Sequence, residues 1–277
     1  MPVVAIFSLG EIAMFRAIAT DLDGTLLDAE SRITPRSVAA LQRAHAAGCR
    51  LIIATGRHYR DVQFLLDGIE LPISVISANG ARVHAVDGTP LAAANLAPAL
   101  VQKLVQPALV RDAELALYLD DRKLACRYTG SLNGYLDRAE VHASLADYHG
   151  RDVAKIIYCG EPEQLRLVEQ DIRYRFDGQL ALTYSQDCYL EVMAPGVSKG
   201  QALRQLLAGM DIAAEDCAAF GDAMNDVEML QLVGHPHLMA NASQHLRQQV
   251  PHGRHIGHHA ESAVAALLES RFAAYGV

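Results

Sequence analysis

Along the first hundred residues, short apolar runs alternate with amphipathic stretches. Residues 15–20 form an apolar run of strand length that ends at Asp21. The next stretch punctuates a helix: Thr34 stands as N-cap, Pro35 at the first helical position and Gly48 as the stop, with Val38, Leu41 and Ala44 on one face. Arg50–Ala54 reads as a second buried strand running into Thr55-Gly56-Arg57, a helical stretch covers 59–66, and 72–77 is a third strand that leads to Asn79-Gly80. Strand and helix alternating in this way predict parallel strands with crossover helices, an α/β sheet covered on both faces. Ligands of such sheets bind beyond the carboxyl ends of the strands, so these polar, Gly-containing loops should converge on one site.

From about residue 84 to 188 the texture changes to short runs such as 116–119 and 155–158, helical stretches at 100–109 and 162–176, and many turn residues. This predicts a separate α+β insert. After 190–192 the α/β pattern resumes. Ser198-Lys199-Gly200 opens a helix over 201–207, and 216–220 is a strand leading into Gly221-Asp222. Residues 227–233 are helical before Gly234, and 237–240 form the last core strand. The expected organisation is a core of residues 14–83 and 189–277, an insert of 84–188, and an upstream extension of 1–13 ahead of Met14. A chain starting at Met14 is expected to fold.

Composition narrows the class. With 277 residues, 51% of them hydrophobic and 20% charged, the chain is soluble and globular with ample core. A net charge of −8 without a long basic run argues against a nucleic-acid or anionic-membrane partner. Cys49, Cys126, Cys159, Cys188 and Cys217 are scattered and odd in number, which points to reduced thiols in a cytoplasmic protein. The apolar N-terminus lacks a basic region and is broken by Gly10 and Glu11, unlike a signal peptide or membrane span. A monomer or small homo-oligomer is expected.

The chemistry starts with the acids. Asp21 and Asp23 stand two residues apart beyond a strand, and parallel pairing would bring the remote Asp222 beside Asp21. An acidic cluster is unfavourable unless a cation neutralises it, and oxygen-only ligands suit Mg²⁺. Magnesium at a strand end suggests phosphoryl chemistry. Thr55 adds a hydroxyl, Gly56 a backbone N–H, Gly24 a turn around the anion, and Lys199 a charge at a helix start. Each residue also has a plainer explanation: a solvated Asp turn, acids serving a helix N-terminus, a surface lysine, a capping threonine. Asn79-Gly80 is a turn whose Asn can also line the pocket, and Arg57 is placed on the substrate. The histidines of 252–259 lie in a Gly-rich loop without the partners zinc requires, and Met224 and Met229 read as core packing.

Asp21-Leu-Asp-Gly-Thr25, Thr55-Gly-Arg57, Lys199-Gly200 and Gly221-Asp-Ala-Met-Asn-Asp226 resemble the four ordered motifs of the haloacid dehalogenase superfamily. Ser77–Ala81, Tyr189–Gly200 and Met239–Ala242 resemble its Cof-type phosphatase branch, and the likeness spans roughly 15–268. The resemblance implies a Rossmann-like parallel-sheet core with a large inserted cap that closes over the site and sets specificity. It implies Asp21 as nucleophile and Asp23 as general acid, then base. Lys199 would bridge Asp21 and the phosphate, while Thr55, Gly56 and Asn225 hold phosphoryl oxygens. Mg²⁺ would be held by the carboxylates of Asp21 and Asp222 and the backbone oxygen of Asp23. Asp226 would orient the metal's waters or Lys199, or ligate directly. Asp23 separates phosphatases from dehalogenases, which lack that second acid. The expected activity is Mg²⁺-dependent hydrolysis of a small phosphorylated metabolite: a sugar phosphate, a nucleotide, or a cofactor such as pyridoxal phosphate or flavin mononucleotide. Thr55–His58 and Tyr118–Asp121 resemble members acting on pyridoxal phosphate. The alternatives are a phosphomutase and a non-catalytic phosphometabolite-binding protein.

Overall fold

The computed structural model describes residues 15–126 and 139–273. The upstream extension expected at 1–13, with Met14, lies outside them. In chain order the elements begin with β1 (Ala17–Thr20), α1 (Pro35–Ala46), β2 (Arg50–Ala54), α2 (Tyr59–Leu65), β3 (Ile73–Ser77), β4 (Arg82–His84) and β5 (Pro90–Ala93). Then come α3 (Pro98–Leu104), α4 (Pro107–Val110), β6 (Glu114–Tyr118), β7 (Lys123–Cys126), β8 (Glu140–His142), β9 (Lys155–Cys159), α5 (Pro162–Arg175), β10 (Ala181–Gln186) and β11 (Tyr189–Met193). The chain closes with α6 (Lys199–Gly209), β12 (Cys217–Gly221), α7 (Val227–Leu232), β13 (His235–Leu238), α8 (Gln244–Gln249), β14 (Arg254–His255) and α9 (Ala263–Arg271).

One sheet has the order β14-β13-β12-β1-β2-β3-β4-β5. It is parallel from β14 to β3 and antiparallel beyond. The period of two along its strands decides which face each residue serves. Ile18, Leu51, Ile53, Val75 and Phe220 pack with α1 and α9. Their neighbours Ala19, Ile52, Ile76 and Ala219 pack with α6, α7 and α8 on the opposite face. Both faces are thus covered by helices, the α/β layering expected of a Rossmann-like core. Helix α1 starts as its sequence dictates: Thr34 accepts a hydrogen bond from the Ser37 N–H at 3.1 Å, and Pro35 occupies the first turn.

The second sheet, β10-β11-β9-β6-β7-β8, is the inserted α+β cap. Leu115, Leu117, Tyr158 and Leu190 of one face pack against α3, α4 and α5. The other face carries Ala116, Tyr118, Ile157 and Tyr189 and meets Ala78 and Ala81 of the core.

The strands divide between sheets differently from the expected boundaries at 84 and 189. β5 pairs with β4 in the core sheet, while β11 pairs with β9 and β10 in the cap sheet. A strand's alternation reveals its buried face but not which sheet it joins, so residues 189–193 read equally well in either domain. The helix expected over 100–109 is two, because a residue before proline is pushed out of the α region; Gln106, preceding Pro107, has φ −69° and ψ 138°. The strand expected at 237–240 lies at His235–Leu238, and β14 follows it at the sheet edge. Cys49, Cys159, Cys188 and Cys217 are free thiols. Among the described residues no helix is long and apolar enough to cross a membrane.

Candidate active site

Parallel register brings the functional loops together. Thr20 at the end of β1 lies level with Phe220 of β12 and Ile53 of β2, so Asp21, Asp222 and Thr55 leave the sheet side by side. The chain then turns tightly through 22–26, where Gly24 takes φ 71°; a β-carbon there would also strike the Asp222 carboxylate. Thr25 Oγ1 donates to Asp222 Oδ1 at 3.0 Å. Asn241 Nδ2 ties the same turn down, donating to the Gly24 carbonyl at 2.8 Å and to Asp222 Oδ2 at 3.1 Å.

Lys199 is the first residue of α6, whose N-cap Ser198 accepts from the Gln201 N–H. Its ammonium is fully buried and donates to Asp21 Oδ1 at 2.8 Å and to Asp226 Oδ1 at 2.7 Å. The second Asp226 oxygen accepts the backbone N–H groups of Asp222 at 3.0 Å and Ala223 at 3.1 Å. Asp226 therefore holds both the lysine and the β12 loop. Burial opposes the charge on Lys199, yet Asp21 and Asp226 together lift its pKa above the usual lysine range. Burial raises Asp21 well above the usual carboxylate range, against the pull of Lys199 and with the push of Asp226 and Asp222. Asp222 rises to about 7, through burial first and the nearby Asp226 second.

On the opposite side sits the loop after β2. Thr55 Oγ1 accepts the Arg57 N–H at 3.1 Å. The Arg57 guanidinium grips Asp23 with two parallel hydrogen bonds, Nε–Oδ2 at 2.7 Å and Nη2–Oδ1 at 2.6 Å. Arg57, expected on the substrate, is thus on the expected acid–base residue. Asn79 lies just beyond β3 in a left-handed conformation, φ 55°, and its Oδ1 accepts from Asn225 Nδ2 at 3.1 Å. Asn79 and Asn225 are both buried at the site.

These residues enclose a cavity of about 100 Å³. Asp21, Gly24, Gly56 and Asn225 line it from the core, and Ser185 and Gln186 close it from the cap hairpin. A larger hollow of about 670 Å³ lies behind the sheet, between β5 and α6, but its lining of Leu51, Val83, Leu91, Met210 and neighbours contains no carboxylate. The carboxylates expected to carry the chemistry line the small one.

Asp21, Asp222 and Asp226 each offer a carboxylate oxygen within 4.8 Å of the others, against a single buried ammonium. A hard divalent cation fits that donor set, since it would offset the charge that burial makes costly. The Asp23 side chain is turned to Arg57 instead. The histidine loop does structural work: His259 Nδ1 lies 2.9 Å from the Leu27 carbonyl, and His258 caps the turn at the Ala260 N–H. Asn241 was not foreseen as a site residue, although a polar side chain three residues beyond β13 was a usable signal. Ser185, Lys155 and Glu191 also reach the site's surroundings and lay hidden in cap strands.

Known proteins resemble this chain in sequence and fold. The family described as haloacid dehalogenase-like hydrolase matches residues 18–268. An HMP-PP phosphatase of Enterobacter sp. (strain 638) is 34% identical over 263 residues, covering 92% of this chain and 95% of its own. An HMP-PP phosphatase of Yersinia pseudotuberculosis is 32% identical over 258 residues, covering 92% of this chain and 94% of its own. The structure of a haloacid dehalogenase-like hydrolase from B. subtilis superposes with a TM-score of 0.82 at 23% identity, over 92% of this chain and 99% of that one. The ordered acids, the buried lysine and a match over nearly the whole chain lead to one assignment: the protein belongs to the haloacid dehalogenase-like hydrolases, in their Cof-type branch.

Proposed function

We propose that this protein hydrolyses phosphate monoesters of small metabolites with Mg²⁺, through an aspartyl-phosphate intermediate on Asp21. It is a phosphoric monoester hydrolase, and the observation that carries the mechanism is Lys199. A fully buried ammonium 2.8 Å from Asp21 and 2.7 Å from Asp226 fixes one oxygen of the nucleophile and sets a cation directly behind it. In the first step an oxygen of Asp21 attacks phosphorus in line and the bond to the leaving oxygen breaks, with Asp23 supplying its proton. In the second, Asp23 takes a proton from water as that water attacks phosphorus, and Asp21 is released with inorganic phosphate. The Gly56 N–H, the Thr55 hydroxyl and the Asn225 amide receive phosphoryl oxygens, and Lys199 stabilises the charge that develops on them. Asp21, Asp222 and the backbone oxygen of Asp23 would hold Mg²⁺, which lowers the repulsion between carboxylate and phosphate. Asp226 serves by holding Lys199.

Both carboxylate oxygens of Asp23 are taken up by the Arg57 guanidinium. The acid step therefore requires this pair to open and Asp23 to swing toward the leaving oxygen. The leaving group lies toward Ser185 and Gln186 of the cap. The relatives named HMP-PP phosphatase support a small phosphorylated metabolite, HMP-PP among the first to try. The free thiols of Cys49, Cys159, Cys188 and Cys217 support a cytoplasmic location.

The test is Mg²⁺-dependent phosphate release across a panel of phosphorylated metabolites, HMP-PP and pyridoxal phosphate included, with Asp21→Asn as control. One preferred substrate, lost on chelation or with the variant, is expected. Release from no compound by a folded, magnesium-loaded protein would refute it.

A further inference from the structure

We propose that Lys155 and Glu191, an ion pair carried by the cap and buried against the core, are positioning residues for the phosphate-binding loop. This rests on the phosphate site described above. Lys155 lies on β9 and Glu191 on the neighbouring β11, and neither side chain has any solvent exposure. Lys155 Nζ donates to Glu191 Oε1 at 3.0 Å and, across the domain boundary, to the carbonyl of Gly56 at 2.6 Å. The Tyr118 ring lies 4.6 Å from the same ammonium. Glu191 Oε1 also accepts from Ser185 Oγ at 3.0 Å, and its Oε2 accepts from Asn79 Nδ2.

The consequence falls on the peptide groups of Thr55-Gly56-Arg57. The Thr55 carbonyl accepts the Asn79 N–H at 3.0 Å, the Gly56 carbonyl accepts Lys155, and the Arg57 carbonyl accepts the Ala78 N–H at 2.9 Å. With its carbonyls held away from the cavity, the loop keeps Gly56 on the cavity wall. Asn79 holds a left-handed conformation that a residue with a β-carbon resists, and Glu191 anchors its amide. That amide in turn meets Asn225. The ion pair therefore fixes both sides of the phosphate cradle from two strands of the cap sheet.

Docking alone does not call for charge here. Ala78 and Ala81 of the core already pack on Tyr118 and Ile157 of the cap. Apolar side chains of similar volume often replace a buried ion pair at no loss of stability. What they cannot replace is a donor to the Gly56 carbonyl and an acceptor for Asn79.

The deciding variant is thus the double substitution Lys155→Met with Glu191→Met, which keeps the interface filled and uncharged. Inorganic phosphate is titrated calorimetrically into the magnesium-loaded protein, alongside kcat and KM for the preferred monoester and Mg²⁺ affinity alone. Phosphate affinity should fall about tenfold and kcat/KM about 10- to 100-fold, the scale on which supporting residues act, with Mg²⁺ affinity unchanged. Lys155→Arg, which restores a donor, should recover part of the loss. If the double variant does not fold, Glu191→Gln carries the test, because it keeps the volume and removes the charge that balances Lys155. Phosphate binding and turnover equal to wild type in the folded variant overturn the inference and leave the hydrolase intact. Weakened phosphate binding with no monoester cleaved by the wild type would uphold the inference and sink the hydrolase. A wild type that binds no phosphate overturns both.

Discussion

Two buried charge clusters lie close together in this molecule and are built on opposite terms. At the strand ends, Asp21, Asp222 and Asp226 surround one ammonium, that of Lys199. At the cap boundary, Lys155 faces Glu191 one to one, with Ser185, Asn79 and the Gly56 carbonyl taking up the remaining hydrogen bonds. The second cluster is balanced and closed. The first carries an excess of negative charge and opens on a cavity, and Asp21 and Asp222 are held above the usual carboxylate range. A buried cluster that is unbalanced in isolation would be completed by a bound cation, as proposed for this one; a balanced one holds protein to protein. The same residue types serve opposite ends because of counting, not because of composition.

The largest contrast should come from Asp21→Asn. It removes the proposed nucleophile but keeps the shape and the hydrogen bond to Lys199, so turnover should drop on the order of 10⁴-fold or more while the fold persists. Phosphate release under substrate saturation checks it, and activity near wild type would place the nucleophile elsewhere.

The two clusters also differ in how far the sequence discloses them. Asp21, Thr55 and Asp222 follow apolar runs that end abruptly, and Lys199 follows an N-cap, so position along the chain already marks them. The α/β core is legible for the same reason, because period-two strands and capped helices are local signals. Lys155 looks like an ordinary polar residue in a short strand, and Glu191, though inside the Tyr189–Gly200 motif, shows no partner in the sequence. Their meaning arises only when β9 and β11 lie side by side and press on the loop after β2. Arg57 was visible, but its partner was not: pairing with Asp23 depends on a turn geometry that no spacing rule contains. The misplaced boundary at β11 has the same origin, since sheet membership is a non-local fact.

Breaking the balanced pair on one side should be the next largest effect, and on stability. Lys155→Met leaves Glu191 charged, fully buried and short of a donor. A loss of about 3 to 5 kcal/mol is expected, whereas the double substitution to Met should cost less, about 1 to 3 kcal/mol, because it strands the Gly56 carbonyl and the Asn79 amide but no buried charge. Denaturant unfolding of the two variants checks the difference; equal losses would mean that packing, not charge, governs this boundary.

A third arrangement sharpens the comparison: a buried titratable group with no ion at all. His237 stacks on Phe220 with ring centroids 4.7 Å apart, and its Nδ1 has no hydrogen-bond partner. Burial pushes its pKa down to about 4, from an ordinary 6.5. The unfolded chain takes up a proton below about 6.5 and the folded chain not until about 4, so stability present above that window is lost as pH falls through it. The loss should reach about 2 to 3 kcal/mol. Stability measured from pH 7 to 4 in wild type and His237→Phe isolates it, as the variant should show a shallower acid slope.

The smallest effect has the most telling sign. In the unbalanced cluster, taking away an acid should stabilise the metal-free protein. Asp222 is the acid to remove, because it makes no ion pair with Lys199, which keeps Asp21 and Asp226. Asp222→Asn retains an oxygen to accept from Thr25 and removes one of the like charges crowded at the strand ends. At pH 8 with a chelator the gain should be about 1 to 2 kcal/mol. Saturating Mg²⁺ should then reverse the ranking. Wild type gains about 2.7 kcal/mol when the ion stands at a hundred times its dissociation constant, and the variant gains little, having lost a ligand. Thermal unfolding of both proteins, with chelator and with Mg²⁺, gives the four values required. A variant less stable than wild type in chelator would show that Asp222 is held in place for the fold, and the contrast between an unfinished cluster and a finished one would fail at its first site.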